Sequence, residues 1–423
     1  MASSFRILLL LGSFLFLVHQ FHAQFSLLPT SVVLPVTKDL ATLQYVAKMD
    51  HGTPLVPMNL VVDLGGPFLW TDCTFSASNR LVSSCSMQCS KVRGSGLEGK
   101  QNCKTGTWVS SHQLKSCDLS TQNSITLSGI SGELVEDVIA VRSADESNPS
   151  SGSSITTISN FLYSCATSFL LNGLASGVHG MLGLGRTIIA LPSQVSATFG
   201  MPRKFATCLS SSDGVILIGN LPGNPISMSL VYTPLVTSPS RNPQEYFIKV
   251  KSIKINSKRL SLNREVIGVA KISTVVPYTT LESSIYSTFV KAYLKAATFM
   301  NMTRVAPVAP FGLCFSSKGI GKTLLEPLVP TIDLVLQSEM VKWRIQGRNS
   351  LVPVNDDVMC LGFLDGGSNS DTSIVLGGFQ LEDVLLEFDL GSSMLGFSSS
   401  LLMKETSCSK LMMAEYSMPR ESL

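Results

Sequence analysis

Two short segments half a chain apart share one build, and this internal repeat restricts the chain to folds made of two similar units. The first reads Val61-Val62-Asp63-Leu64-Gly65-Gly66-Pro67-Phe68-Leu69-Trp70 and the second Lys271-Ile272-Ser273-Thr274-Val275-Val276-Pro277-Tyr278-Thr279-Thr280-Leu281. An apolar run ending in glycine follows each: Gly180-Met181-Leu182-Gly183-Leu184-Gly185, and Ser373-Ile374-Val375-Leu376-Gly377-Gly378. Gly183 comes 120 residues after Asp63, and Gly377 comes 104 after Ser273. Beyond the second run, Leu386 to Leu390 and Ser393 to Ser398 read as two strands joined by a polar turn. The spacing predicts a mostly β chain of two lobes related by a pseudo-twofold axis and facing each other across a central cleft. The first lobe is placed over residues 24–228 and the second over residues 229–423.

Length and composition agree with large β-rich cores. A chain of about 400 residues suits two or three domains. Hydrophobic residues make up 44% and charged residues only 14%, against the ~25% charged residues of average domains. Thr233-Pro234-Leu235-Val236 reads as a strand, and so does the run Glu245 to Ile255, whose lysines alternate with apolar residues as on a half-buried sheet face. A helix is predicted over Leu281 to Ala296, with Glu282 near its start. A net charge of +3 and the lack of a long basic run argue against nucleic acid as a partner.

Residues 1–23 read as a secretory signal: Arg6 supplies positive charge, Ile7 to Val18 the apolar core, and Ala23 a small residue for cleavage. That run is too short to span a bilayer comfortably, and no later run would serve as a membrane anchor. The expected location is extracellular, in the apoplast or cell wall. Ten cysteines follow the signal: Cys73, Cys85, Cys89, Cys103, Cys117, Cys165, Cys208, Cys314, Cys360 and Cys408. An even number in a secreted chain implies disulfides, and the absence of C-x-x-C pairs speaks against a metal site. Cys314 is paired with Cys360, because both flank the strand Ile332 to Gln337. Asn301-Met302-Thr303 is an N-glycosylation sequon in a segment that reads as exposed.

Other chemistry finds little support. His51, His112 and His179 are scattered, and each reads as a packing or surface residue. A G-x-S-x-G elbow is lacking. Gly319-Ile320-Gly321-Lys322-Thr323 imitates the end of a phosphate-binding loop, but Ser316 stands where the opening glycine belongs, so the segment reads as a surface turn. The serine-rich run Ser143 to Ser154 reads as a loop. No cofactor is indicated.

The paired segments resemble the half-sites of pepsin-like aspartic peptidases, in which each apolar stretch ends in Asp-x-Gly. Asp63 stands where such an enzyme keeps its first catalytic carboxylate, and Ser273 where it keeps the second. The family's chemistry needs two carboxylates sharing one proton. Losing one positioned acid-base group costs ~10²–10⁴ in rate. Val275 also replaces a glycine of the second half-site, and Leu64 replaces a threonine of the first. Ile125 to Glu133 resembles the flap hairpin of a pepsin lobe, with Leu127 where active enzymes carry tyrosine.

Over nearly its whole length after the signal the chain is similar to one plant group: extracellular dermal glycoproteins, basic 7S globulins and the TAXI-type xylanase and xyloglucanase inhibitors. Ser176-Gly177-Val178 through Gly183-Leu184-Gly185-Arg186-Thr187 to Ala190-Leu191-Pro192-Ser193-Gln194 carries the resemblance. So do Phe247 to Asn256, Ile332 to Gln337 and Gly377 to Asp383. The resemblance implies a pepsin fold without proteolysis and, as partner, a secreted glycoside hydrolase whose two cleft carboxylates are met by basic side chains. In xyloglucanase-inhibiting relatives those are arginines on two second-lobe loops. Here Leu324 and Glu405 fall at those positions, and Lys322 and Lys404 stand nearby as substitutes without the bidentate fork of arginine. The chain has two fewer cysteines than typical members, the gap falling between Arg93 and Cys117. Two other readings remain open: an aspartic-type endopeptidase using Asp63 with a further acid, and a globulin-like wall or storage protein that binds a peptide or carbohydrate.

Overall fold

The computed structural model describes residues 29–75, 78–94, 116–144, 154–221, 225–237, 243–262, 268–323, 326–368 and 372–415. The signal segment 1–23, Cys103, His112, Leu324 and most of the serine-rich run lie outside the described residues.

Each half of the chain builds the same strand arrangement. In the first, Val56–Asp63 lies parallel to Gly180–Gly183, matching Val61 with Met181, Val62 with Leu182 and Asp63 with Gly183. Trp70–Asp72 runs antiparallel along the other side of the same strand, matching Trp70 with Met181. In the second, Val269–Ile272 lies parallel to Ile374–Leu376, matching Lys271 with Val375 and Ile272 with Leu376. Thr279–Leu281 flanks it antiparallel and matches Thr280 with Val375. Superposing Met181 on Val375 therefore superposes Asp63 on Ser273 and Gly183 on Gly377. Both glycines are required by close approach. A Cβ on Gly183 would overlap the Phe68 carbonyl oxygen, and one on Gly377 would overlap the Tyr278 carbonyl.

A six-stranded antiparallel platform joins the halves. Its order is Ser31–Lys38, Asp213–Gly219, Lys204–Cys208, Leu385–Asp389, Met394–Phe397 and Val231–Val236. The central pair brings one strand from each half together in the register Phe205 to Phe388 and Ala206 to Glu387. The Phe205 and Phe388 rings stack at 4.8 Å, and Tyr246 packs on Phe388 at 4.7 Å. The two predicted strands before and after the polar turn are the hairpin Leu385–Asp389 and Met394–Phe397. Beneath the platform, Leu401, Cys408 and Leu411 pack on Val33, Ala206, Val215 and Leu217.

The run Glu245 to Ile255 is not one strand, contrary to the sequence reading. Tyr246–Lys249 pairs with Val269–Ile272, while Ser252–Ile255 joins a separate four-stranded sheet beside Ile332–Val335. The chain changes sheets at Val250 and Lys251, whose amides go to Gly268 and Val335. Tyr246, Phe247 and Ile248 are all buried, so the run starts without the alternation that a one-sided sheet face would show. The predicted helix spans Ser283–Phe299, and Leu281 ends a strand instead. Glu282 is its N-cap, accepting the Ser284 and Ile285 amides at 3.0 and 3.3 Å. The stripe Ile285, Phe289, Tyr293 and Ala297 is buried, and Phe289 packs on Phe363 at 4.8 Å.

Four disulfides join described residues: Cys73–Cys165, Cys89–Cys117, Cys208–Cys408 and Cys314–Cys360. Cys85 is disulfide-bonded as well. The Cys314–Cys360 pairing agrees with the sequence reading, the two residues being direct partners across an antiparallel ladder. Cys208–Cys408 closes a sequence separation of 200 and ties the C-terminal helix to the first half. Replacing both by serine is expected to cost about 2–4 kcal/mol, seen as a lower guanidinium midpoint with a steeper slope as the uncrosslinked unfolded chain expands. An unchanged midpoint would mean that packing beneath the platform alone holds the C-terminal segment.

Candidate functional site

Asp63 ends a strand whose last residues are buried and is itself 5% exposed. Its carboxylate accepts the Gly65 amide at 3.0 Å on Oδ1 and the Ser124 hydroxyl on Oδ2. Gly66 leaves the Oδ2 side open, since a Cβ there would stand 2.9 Å from that oxygen. Ser124 belongs to the turn of the hairpin Asp118–Gln122 and Gly129–Ala144, the flap expected from sequence. Asn123 anchors that turn. Its amide nitrogen donates to the Leu170 and Asn172 carbonyls at 2.8 and 3.0 Å, while its Oδ1 accepts the Ile125 amide at 2.9 Å. Leu127 projects into solvent, 74% exposed, and has a positive φ of 59°.

Ser273 is 3% exposed, and its amide donates to the Leu376 carbonyl at 3.0 Å. The next residue binds the halves together. The Thr274 hydroxyl donates to the Val62 carbonyl at 2.7 Å and accepts the Leu64 amide at 3.0 Å. A reciprocal bond would need a hydroxyl at position 64, where leucine stands, so the grip acts from one side. It holds the Asp63 and Ser273 loops at one junction.

Two charged side chains that the sequence reading passed over share this junction. Glu245 lies over the Asp63 loop, with its Cγ 3.1 Å from where a Cβ of Gly65 would be. Lys271 bonds the Glu245 Oε1 at 2.5 Å. Burial pushes the Asp63 carboxyl above the usual aspartate range. The Ser124 hydroxyl, the Gly65 amide and the Lys271 ammonium pull it back, and the Glu245 carboxylate adds to the upward push. Among the described residues the hydrogen-bond partners of Asp63 are a hydroxyl and an amide; no second carboxyl shares its proton. The sequence did carry one signal for the added charge: Lys271 interrupts an otherwise apolar approach, two residues before Ser273 and so on the same strand face.

The proposed contact residues lie elsewhere. Lys322 is exposed on a tight turn in which Leu328 donates to the Gly321 carbonyl at 2.7 Å and Lys322 bridges to Pro327. It lines a cleft of about 440 Å³ together with Arg348, Phe379, Glu382 and Asp383. Lys404 closes the 3-10 turn Leu401–Lys404 and donates to the Ser229 hydroxyl at 2.5 Å. Asp383 connects the two places, because its carbonyl accepts the Leu401 amide at 2.7 Å. Glu405 has a positive φ, and its carbonyl takes the Lys410 ammonium at 3.0 Å. Asn301 is exposed just beyond the helix Ser283–Phe299. His51 is buried and His179 half-buried, and neither stands among the hydrogen-bond partners of Asp63. No described helix is long and apolar enough to cross a membrane.

Comparison with known proteins places this geometry in context. Residues 45–220 match the family described as Xylanase inhibitor N-terminal, and residues 245–399 match Xylanase inhibitor C-terminal. The chain is 47% identical to a probable aspartic proteinase of Nicotiana benthamiana, over 90% of this chain and 91% of that one. It is 39% identical to gamma conglutin 1 of Prunus dulcis, over 90% and 89%. Among solved structures it resembles edgp (47% identity, TM-score 0.83, covering 92% of this chain and 98% of that one). Soybean basic 7S globulin is also similar (35% identity, TM-score 0.78, covering 90% and 99%). An aspartic proteinase of Irpex lacteus, at 14% identity and TM-score 0.57 over 89% and 99%, shows the pepsin-like fold.

Two measurements probe the junction. Because folding raises the Asp63 pKa, its charged form opposes folding, and that penalty is absent below the unfolded aspartate pKa and grows as pH rises through the folded one. Asp63→Asn is therefore expected to stabilise the protein near neutral pH, the gain shrinking as pH falls to where Asp63 itself is protonated. Denaturant titrations of both proteins across that range test this, and a pH-independent difference would contradict it. Ser124→Ala is expected to speed amide exchange across residues 118–133 alone; unchanged exchange there would show that Asn123 suffices to hold the flap.

Proposed function

Because the chain belongs to the xylanase inhibitor family, we propose that it is a secreted, non-proteolytic protein that inhibits glycoside hydrolases attacking plant cell walls. The observation that carries the non-proteolytic part is the strand register that gives Asp63 and Ser273 equivalent positions in the two halves. A lone carboxyl engaged with Ser124 supplies no second acid to donate to a scissile carbonyl while the first activates water. The name of the Nicotiana relative, a probable aspartic proteinase, supports the rival reading of an aspartic-type endopeptidase. The single carboxyl in the hydrogen-bonded set of Asp63 argues against it.

The target in this reading is a xylanase or a xyloglucan-specific endoglucanase, whose cleft holds two carboxylates flanking the scissile bond. Lys322 and Lys404 are the contacts proposed for those carboxylates, being exposed cations on second-half turns joined through Asp383. The disulfides support an extracellular location, and the exposed Asn301 supports glycosylation there. Similarity to gamma conglutin and basic 7S globulin favours a second reading, a wall or storage protein that binds a peptide or carbohydrate.

Purified protein is expected to lower the activity of a secreted fungal xylanase or xyloglucan endoglucanase, and to show no pepstatin-sensitive peptide cleavage at acid pH. Pepstatin-sensitive turnover would replace this reading by the peptidase one. Recovery of only a host peptide or glycan from apoplastic extract would favour the globulin reading. Replacing Lys322 and Lys404 together by alanine is expected to weaken inhibition about tenfold or more; an unchanged inhibition constant would discard them as contacts.

A further inference from the structure

The cleft that Lys322 lines contains a second cation, Arg348, which the pattern of the sequence does not single out. We propose that Arg348 is the principal carboxylate-recognising side chain of the partner-binding surface, with Lys322 beside it; this rests on the inhibitor reading and names the contact that gives it strength. Three observations converge on Arg348.

The first is rigidity. Arg348 is the middle residue of the 3-10 turn Gly347–Asn349. The Gly347 amide donates to the Glu326 carboxylate at 3.2 Å, so the Arg348 turn is fastened to the turn carrying Lys322. The Asn349 side chain, 4% exposed, donates to the Phe379 and Glu382 carbonyls at 3.0 Å each. A side chain mounted on a pinned turn loses less freedom on binding than one on a loose loop.

The second is availability. Arg348 is exposed, and neither it nor Lys322 takes part in an ion pair among the described residues. Three acids share the cleft, Glu326, Glu382 and Asp383. Glu326 accepts the Gly347 amide, and Glu382, 6% exposed, takes the Lys38 ammonium at 2.7 Å and the Tyr45 hydroxyl at 2.8 Å on one oxygen. Burial and the Glu382 carboxylate push up the carboxyl of Asp383, 7% exposed; the Arg348 guanidinium and the Ser210 hydroxyl pull it back, without an ion pair to Arg348. Arg348 is thus an exposed cation outside any ion pair among the described residues, while Lys404 already holds Ser229.

The third is chemistry. The two oxygens of a carboxylate call for parallel N–H donors, which a guanidinium presents in a fixed fork and an ammonium does not. The partly buried Phe379 ring and the wall of Leu351 and Met359 flank the cleft. Such apolar surround excludes water from a bound charge pair and strengthens it.

The test compares wild type, Arg348→Ala and Arg348→Lys in inhibition and binding of a fungal xylanase and a xyloglucan endoglucanase, with melting temperature as the folding control. Expected are a loss of about tenfold or more for Arg348→Ala, partial recovery for Arg348→Lys, and a shallower salt dependence of binding for the alanine variant, all at unchanged melting temperature. Wild-type inhibition that Arg348→Ala leaves intact overturns the proposal and spares the inhibitor reading. Equal affinity of the lysine variant and wild type would refute the bidentate contact. Failure of wild type to bind either enzyme removes the inhibitor reading and this contact together.

Discussion

The Thr274 hydroxyl of the second half donates to the Val62 carbonyl and accepts the Leu64 amide, on either side of Asp63 in the first half. Everything at the centre of the molecule takes its position from that bridge. Without it the Leu64 amide and the Val62 carbonyl would be buried and unmatched, at about 1–3 kcal/mol for each group. Water has no easy access to substitute, since Leu64 and Val62 are essentially fully buried. The platform acts in the same sense, because its central ladder takes one strand from each half and stacks Phe205 on Phe388. The halves are thus hydrogen-bonded to each other at the loop tips, at the platform and through Glu382, which takes Lys38 and Tyr45. The relative placement of Asp63 and Ser273 follows from packing that does not depend on either side chain. A scaffold held this way survives the exchange of a carboxylate for a hydroxyl.

A buried acid with no second carboxyl among its hydrogen-bond partners must still be compensated. An isolated ionised carboxylate in a protein interior is expensive unless hydrogen bonds and a counter-charge offset it. Asp63 has the Gly65 amide, the Ser124 hydroxyl and the nearby Lys271 ammonium. Gly66 matters here as much as any donor, because a side chain at that position would stand against the oxygen that Ser124 reaches. The result reverses the ordinary relation between flap and floor. In an active pepsin-like cleft a substrate must fit between them, whereas here a flap residue bonds the acid directly. Glu245 and Lys271 satisfy each other over the same loop. The polar groups at this junction are bonded to the protein itself.

What the sequence revealed and what it withheld divide along the range of the interaction. The repeat was legible because each half-site is a contiguous run, and its glycines answer a close approach that any strand of that build would meet at Gly183 and Gly377. The helix was legible from its buried stripe, although its start was placed two residues early because Leu281 is as apolar as a helix core residue while serving a strand. Cys314 and Cys360 are paired in the sequence reading because they flank Ile332 to Gln337, a strand that belongs to a different sheet from the ladder joining them; Cys208 and Cys408 could not be paired, since nothing local brings residues so far apart together. The run Glu245 to Ile255 misled because alternating lysines imply one continuous face, and only the flanking sheets show where it divides. Ser124 was invisible for a different reason. A serine in a hairpin turn is ordinary, and its role arises from a carboxylate 61 positions earlier.

Arg348 illustrates the same limit at the surface. Reading by resemblance fixes attention on the two positions where relatives carry arginine, and finds Leu324 and Glu405. It does not ask which other turn faces the same cleft. The fold supplies that answer, because Glu326 on the turn of Lys322 holds the amide of Gly347 and so fixes the neighbouring turn beside it. Binding capacity on a folded protein belongs to polar groups whose hydrogen bonds are not already made. At the Asp63 junction those bonds are made internally. At the second-half cleft Glu382 is engaged by Lys38 and Tyr45, Asp383 feels the Arg348 guanidinium and the Ser210 hydroxyl, and the exposed cations are Lys322 and Arg348. Two exposed cations on turns fastened to each other are suited to a carboxylate-bearing partner, and neither is among the hydrogen-bond partners of Asp63.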